Sequence, residues 1–252
     1  MYRFESRVRY SEVDSEKKLT LSSLLDYLQD CCTFQSEELG IGVEYLAGHQ
    51  AAWVLSSWEI EILRYPEMGE RIVTGTWPYD FKGFFGYRNF LIQGDGGEVL
   101  ARANSVWVYM DLLRMRPARI PQEMQRIYME QFGEALHGDW GGRRLPVPQD
   151  GIRQPAIAVA KSQIDTNHHM NNSRYVLAAE EYLPDGFVTA RLCVEYKKAA
   201  VRGDRMIPVV TAEGNTVTVR LLDETETPYA VVRFCGQGVI PAPNTAGYLA
   251  DR

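Results

Sequence analysis

Asp165-Thr166-Asn167-His168-His169-Met170-Asn171-Asn172-Ser173-Arg174-Tyr175 is the stretch around which the chain is organised. Nowhere else do a carboxylate, several carboxamides and imidazole stand so close together with an apolar run directly after them. Asp165, Asn167 and His169 are spaced two apart, so in an extended segment their side chains share one side. Asn171 or Asn172 is a suitable N-cap for a helix over Ser173–Leu183. That helix carries Tyr175, Val176, Ala179, Tyr182 and Leu183 at helical spacing and stops at Pro184-Asp185-Gly186. The expected arrangement is a polar cluster beside the N-terminus of a mostly buried helix. Free N–H groups and the helix dipole at that end stabilise a developing negative charge.

An Asn-rich turn that only caps a core helix is the plainer reading, because Asn favours turns. Three functional side chains at fixed spacing weigh toward a site instead. Metal binding is the poorer alternative. His168 and His169 are adjacent and would point apart on a strand, and no Cys or second carboxylate stands at ligand spacing.

Outward from this stretch, composition sets the limits. A chain of 252 residues, 45% of them hydrophobic, forms one large domain or two packed ones with a real core. Net charge of −6 disfavours wholesale nucleic-acid binding. No apolar run is long enough to predict a membrane-spanning helix. Met1-Tyr2-Arg3-Phe4-Glu5 opens without a signal or transit pattern, which predicts a cytoplasmic protein. Cys31, Cys32, Cys193 and Cys235 lack framework spacing and are expected as reduced thiols, the first two as small core residues.

Arg3–Tyr10 alternates as a strand. Leu21, Leu24, Leu25 and Leu28 then form a helical stripe that continues to about Leu39 and ends at Gly40. From Ala52 to Met110 the period changes to two. Trp58, Ile60 and Ile62 alternate with Glu59 and Glu61, and further strands are predicted at Ile72–Trp77, Phe84–Ile92 and Val99–Met110. Residues 111–154 are rich in Arg, Pro and Gly and form the candidate linker, with a short helix near Gln122–Phe132. The second half then reruns the first as strand, signature, helix and strands.

The halves align by hand. Ser11-Glu12-Val13-Asp14 sits against Ser162-Gln163-Ile164-Asp165, and Gly69-Glu70-Arg71-Ile72 against Gly203-Asp204-Arg205-Met206. Under the first match Glu16 and Lys18 fall opposite Asn167 and His169. Only the second half carries the full constellation.

Asp-x-Asn-x-His-x-Asn-Asn-x-x-Tyr resembles the signature of the acyl-acyl carrier protein (acyl-ACP) thioesterases of plants and bacteria. Trp53-Val54-Leu55, Glu59-Ile60-Glu61-Ile62, Ser105-Val106-Trp107-Val108, Arg119-Ile120-Pro121 and Val194-Glu195-Tyr196-Lys197-Lys198 are similar to further family segments. The resemblance implies an α+β double hot-dog fold, two tandem repeats each with a long helix wrapped by an antiparallel sheet. The expected division is residues 1–120 for an acyl-binding repeat, 121–154 for a linker and 155–252 for the catalytic repeat. It also implies hydrolysis of acyl-ACP to a free fatty acid and holo-ACP, without a cofactor, and leaves a homodimer open.

In the expected mechanism Asp165 is general base or nucleophile, Asn167 orients water or carboxylate, and His169 hydrogen-bonds or protonates near the reacting centre. The family's Glu-Cys pair after the Glu-Tyr-basic-basic strand is replaced by Ala199 and Ala200. That departure removes a cysteine nucleophile from this place and puts a second carboxylate in question. An acyl-CoA thioesterase, a hot-dog hydro-lyase and a non-catalytic acyl-thioester binder stay as alternatives.

Overall fold

A computed structural model describes residues 1–237; residues 238–252 of the expected second repeat lie outside the described residues. In chain order the first half contains β1 (Tyr2–Arg7), α1 (Leu21–Glu38), α2 (Val43–Gly48), β2 (Ala51–Ile62), β3 (Arg71–Lys82), β4 (Phe85–Gly94), β5 (Val99–Asp111) and β6 (Arg116–Pro117). Then follow α3 (Gln122–Met129), β7 (Ile152–Arg153), β8 (Ile157–Ala158), α4 (Asn172–Glu180), β9 (Thr189–Tyr196), β10 (Arg205–Glu213), β11 (Thr216–Leu222) and β12 (Pro228–Gly236).

The strands join in one antiparallel sheet of order β1-β3-β4-β5-β2-β9-β12-β11-β10-β7, with β6 on β5 and β8 on β10. The order mirrors itself about the β2–β9 seam: β2, β5, β4, β3 on one side and β9, β12, β11, β10 on the other. Ser57 pairs with Glu195 and Glu61 with Arg191 along that seam. This is the double hot-dog architecture.

The expected α1 stripe is real. Thr20 caps the helix by accepting from the Ser23 N–H at 3.2 Å, and Leu21, Leu24, Leu25, Leu28, Cys31 and Cys32 are buried. Gly40 takes φ +71° just past the C-cap, a left-handed turn that a residue without Cβ adopts freely. The α1 leucines share the main core with Trp58, Ile60, Phe90, Tyr175, Val176, Val219 and Phe234 of both repeats, while a smaller cluster of Ile41, Ala51, Tyr109, Ile120, Met124 and Tyr128 lies in the first repeat and α3 alone. Helices α1 and α4 pack against each other on this face.

Two expectations on element bounds shift. β3 runs on to Lys82 through Pro78, because the register breaks between Pro78 and Asp80 and spares the ladder a missing donor. The signature helix is shorter than predicted, starting at Asn172 and leaving helical form after Glu180; Tyr182 and Leu183 continue it only as a turn.

Glu59, which alternates with Trp58 and Ile60 along β2, is also buried, at 9% exposed. It pairs with Arg191 and accepts from the Gly141 N–H at 2.9 Å. Glu195 likewise accepts from the Leu145 N–H at 3.1 Å and from Lys197 at 2.8 Å. The segment around residues 141–145 therefore crosses the sheet face opposite the helices, at the seam, held by two buried carboxylates. That assigns Glu195 a structural role.

Candidate active site

Asp165, Asn167 and His169 come together, but not on an extended segment. Lys161–Gln163 form a single 3-10 turn, Ile164 bridges to Met170, and the chain between them folds around the Asp165 carboxylate. Asp165 Oδ1 accepts from the Asn167 N–H at 2.8 Å and the His169 N–H at 3.2 Å, and the Asp165 N–H donates to the His169 carbonyl at 2.8 Å. His168 has φ +61°, which closes the turn. The two-residue spacing thus works through a hydrogen-bonded turn rather than through strand alternation.

Asn171 is the N-cap of α4, its Oδ1 accepting from the Ser173 N–H at 3.0 Å. This narrows the expected set of open N–H groups at the start of the helix to that of Asn172. The N–H groups of Met170, Asn171, Ser173 and Arg174 go to the Ala200 carbonyl, the Gln163 carbonyl, Asn171 Oδ1 and the Asn171 carbonyl respectively. Tyr175, its hydroxyl pushed up to about 12 by burial, accepts from the Ala200 N–H at 2.8 Å. Ala199 borders the site and Ala200 is fully buried behind it.

These residues form one wall of a cleft of about 450 Å³. The remaining walls come mostly from the first repeat, among them Cys32 and Ser36 of α1, Trp53 and Leu55 of β2 and Phe81 of β3, with Tyr128 of α3 added from the linker. The cleft's carboxylates, among the described residues, are Asp165 and Glu37. Glu37 is committed to the start of α2, accepting from the Val43 N–H at 2.8 Å. Asp165 Oδ2 and the side chains of Asn167 and His169 make no hydrogen bond to the protein among the described residues, so they are available to a substrate.

Sequence reasoning assigned the acyl chain to the first repeat but named none of the residues that line the cleft there. Cys32, expected only as core, also borders the cleft, though burial pushes its thiol up to about 11. It also missed Arg88, which is buried with neutral partners. Its Nη1 donates to Gln35 and, at 3.1 Å, to Thr76, and its guanidinium lies 5.5 Å from the Tyr128 ring centroid. An arginine inside a β-patterned run gives no signal of this, because its partners lie on α1, β3 and α3.

Two fused helix-on-sheet repeats sharing one cleft, with a polar wall supplied by a single turn, define a double hot-dog protein with one candidate site. Comparison with known proteins narrows the class. The acyl-ACP thioesterase N-terminal domain matches residues 1–128 and the C-terminal domain of the same family matches residues 149–230, and the chain belongs to that family.

Among curated relatives, the acyl-[acyl-carrier-protein] hydrolase FATB3 of Cuphea viscosissima is 25% identical, over 84% of this chain and 54% of its own length. Oleoyl-acyl carrier protein thioesterase 1 of Arabidopsis thaliana is 24% identical, over 81% and 61%. The chain spans little more than half the length of these relatives. Among solved structures, an acyl-ACP thioesterase from Bacteroides thetaiotaomicron has a TM-score of 0.84 at 21% identity, covering 93% of this chain and 97% of that one. The 12:0-ACP thioesterase from Umbellularia californica has a TM-score of 0.82 at 19% identity, covering 94% and 96%. These two likenesses establish the fold.

Proposed function

We propose that the protein hydrolyses the thioester of an acyl chain carried on acyl carrier protein, releasing the free fatty acid and the carrier thiol. The observation that carries this reading is the convergence of Asp165, Asn167 and His169 on one wall of a cleft whose other walls are largely apolar and come from the first repeat. In this reading the first repeat holds the acyl chain and the second does the chemistry.

Asp165 Oδ2 takes a proton from water as the water oxygen bonds to the carbonyl carbon. The tetrahedral oxyanion then collapses with cleavage of the C–S bond. His169 or the protonated Asp165 returns a proton to the departing thiolate, a good leaving group because thiols ionise far more readily than alcohols. Asn167 orients the water. No sulfur nucleophile is required: burial pushes Cys31 and Cys193 up to about 12, where the thiolate is scarce. Four free cysteines, three of them buried, fit a reducing compartment such as the cytoplasm.

Lys197 and Lys198 border the cleft, and Arg202 is exposed nearby in sequence, so the carrier's acidic surface is proposed to dock on this side. A homodimer is the assembly to check by light scattering. The test of function is thiol release from acyl-ACP and acyl-CoA of several chain lengths, with the products identified. Free acid from acyl-ACP is expected. Release from acyl-CoA alone favours the CoA thioesterase, an enoyl product the hydro-lyase, and binding without turnover the acyl-thioester binder.

A further inference from the structure

The thioester carbonyl needs a hydrogen-bond donor, and the backbone around the signature has few left. Between residues 165 and 174, the N–H groups of Asp165, Asn167, His168, His169, Met170, Asn171, Ser173 and Arg174 are all bonded within the protein, which leaves Thr166 and, at the start of α4, the single N–H of Asn172. A paired backbone oxyanion hole at the start of α4 is therefore not on offer.

Across the repeat interface stands Gln29, half-buried on α1 and bordering the same cleft as Asp165, Asn167 and His169. Its Oε1 accepts from Asn172 Nδ2 at 2.8 Å. Its Nε2 has no protein partner among the described residues. Asn172 is fixed in turn, its carbonyl accepting from the Tyr196 hydroxyl at 2.9 Å. The tether sets which end of the Gln29 carboxamide is spent and leaves both amide hydrogens to the cleft. Asp26, one turn before Gln29, pairs with Arg174 at 3.8 Å and reinforces the same helix contact.

We propose that Gln29, from the first repeat, donates from Nε2 to the thioester carbonyl and stabilises its oxyanion, completing the second-repeat site. This rests on the hydrolytic reading above. A neutral carboxamide suits the task. It binds the oxyanion without pairing with the Asp165 carboxylate, as a lysine there would, and it is already oriented before substrate arrives.

The experiment measures thiol release by the full chain and by Gln29→Glu and Gln29→Met, with melting temperature as the folding control. Gln29→Glu keeps an oxygen for Asn172 and loses the donor. The expected result is a fall in kcat of about 10²–10³-fold, the range for a lost oxyanion donor, with KM changed only slightly. Gln29→Met is expected to fall as far, at all pH values. The Gln29→Glu deficit should narrow as pH drops from 7 toward 5, because a protonated carboxyl donates again.

The titratable and charged groups around that position are Asp26, Asp30 and Cys32 on α1 and Asp165, His169, Arg174, Tyr175, Tyr196, Lys197 and Lys198 from the second repeat, so each profile is read as a ratio to the unmodified protein. Near-normal kcat in folded Gln29→Glu, with loss only in Gln29→Met, would reduce Gln29 to a tether for Asn172 and overturn the inference. So would a pH-independent deficit in Gln29→Glu. An unmodified protein that releases no thiol from any thioester defeats the hydrolytic reading itself and this inference with it.

Discussion

The two repeats build the same turn and use it differently. In the first, Asp14 Oδ1 accepts from the Glu16 and Lys18 N–H groups at 2.9 and 3.0 Å, Val13 bridges to Leu19, and Lys17 has φ +64°. In the second, Asp165, Asn167, His169, Ile164, Met170 and His168 repeat each of these features. Even the tertiary anchor is duplicated: Leu19 N–H donates to the Pro66 carbonyl as Met170 N–H does to that of Ala200. What differs is the side chains. Glu16 and Lys18 pair with each other at 2.9 Å in the open, whereas Asn167 and His169 stay unpaired on the cleft. One side-chain oxygen of an aspartate thus holds the turn in both repeats, a task an asparagine oxygen also performs, and what the second turn adds is the free Asp165 Oδ2 with Asn167 and His169 on the cleft.

The largest expected effect tests that division. Asp165→Asn keeps an oxygen for both N–H groups of the turn and removes the base. Turnover should fall by at least about 10²-fold with little change in melting temperature. Asp14→Asn should alter neither. Equal turnover in folded Asp165→Asn and the unmodified protein would show that both aspartates are only turn formers.

Converting the second turn to the first, with Asn167→Glu and His169→Lys together, should cost at least about tenfold in turnover and leave circular dichroism unchanged. Retained activity would place the chemistry outside the turn.

The helices repeat the contrast. Gln29 of α1 meets the start of α4, and Glu180, at its equivalent position on α4, lies near the first turn. Burial, then the Glu181 and Asp14 carboxylates, push Glu180 from 4.5 up to about 7. The folded state therefore holds a proton that the unfolded chain loses above pH 4.5. This contribution to stability is full below that pH and is lost as pH rises through 7. Glu180→Gln should stabilise the protein by about 2 kcal/mol at pH 8 and scarcely at pH 4, read by denaturant melts. A gain independent of pH would refute the account.

Raising salt from 50 to 300 mM should increase KM for acyl-ACP several-fold and for acyl-CoA less, if the second-repeat side is the docking face. Identical salt responses would count against it. The smallest effect concerns sulfur. Replacing all four cysteines by Ser or Ala should preserve most of the turnover in a folded variant, since Cys31, Cys32 and Cys193 are held as thiols by burial. Activity lost through one cysteine replacement in a folded protein would break the base-activated-water mechanism.

The sequence by itself determined the elements and their duplication. The α1 leucines, the Trp58-Ile60-Ile62 alternation and the paired Ser-x-x-Asp segments carry periods of 3.6 and 2 and local turn chemistry, which short stretches of chain express alone. The Asp165-Asn167-His169 cluster was equally legible, because one hydrogen-bonded turn assembles it.

Only the tertiary structure decided who stands opposite. The Gln29–Asn172 contact joins residues 143 positions apart, and Glu59 is sealed by Gly141, 82 positions away. Such pairs obey no local period. They arise from the β2–β9 seam, which sets α1 against α4 and carries the linker across the back of the sheet. The cleft and its first-repeat wall exist only once that seam has formed.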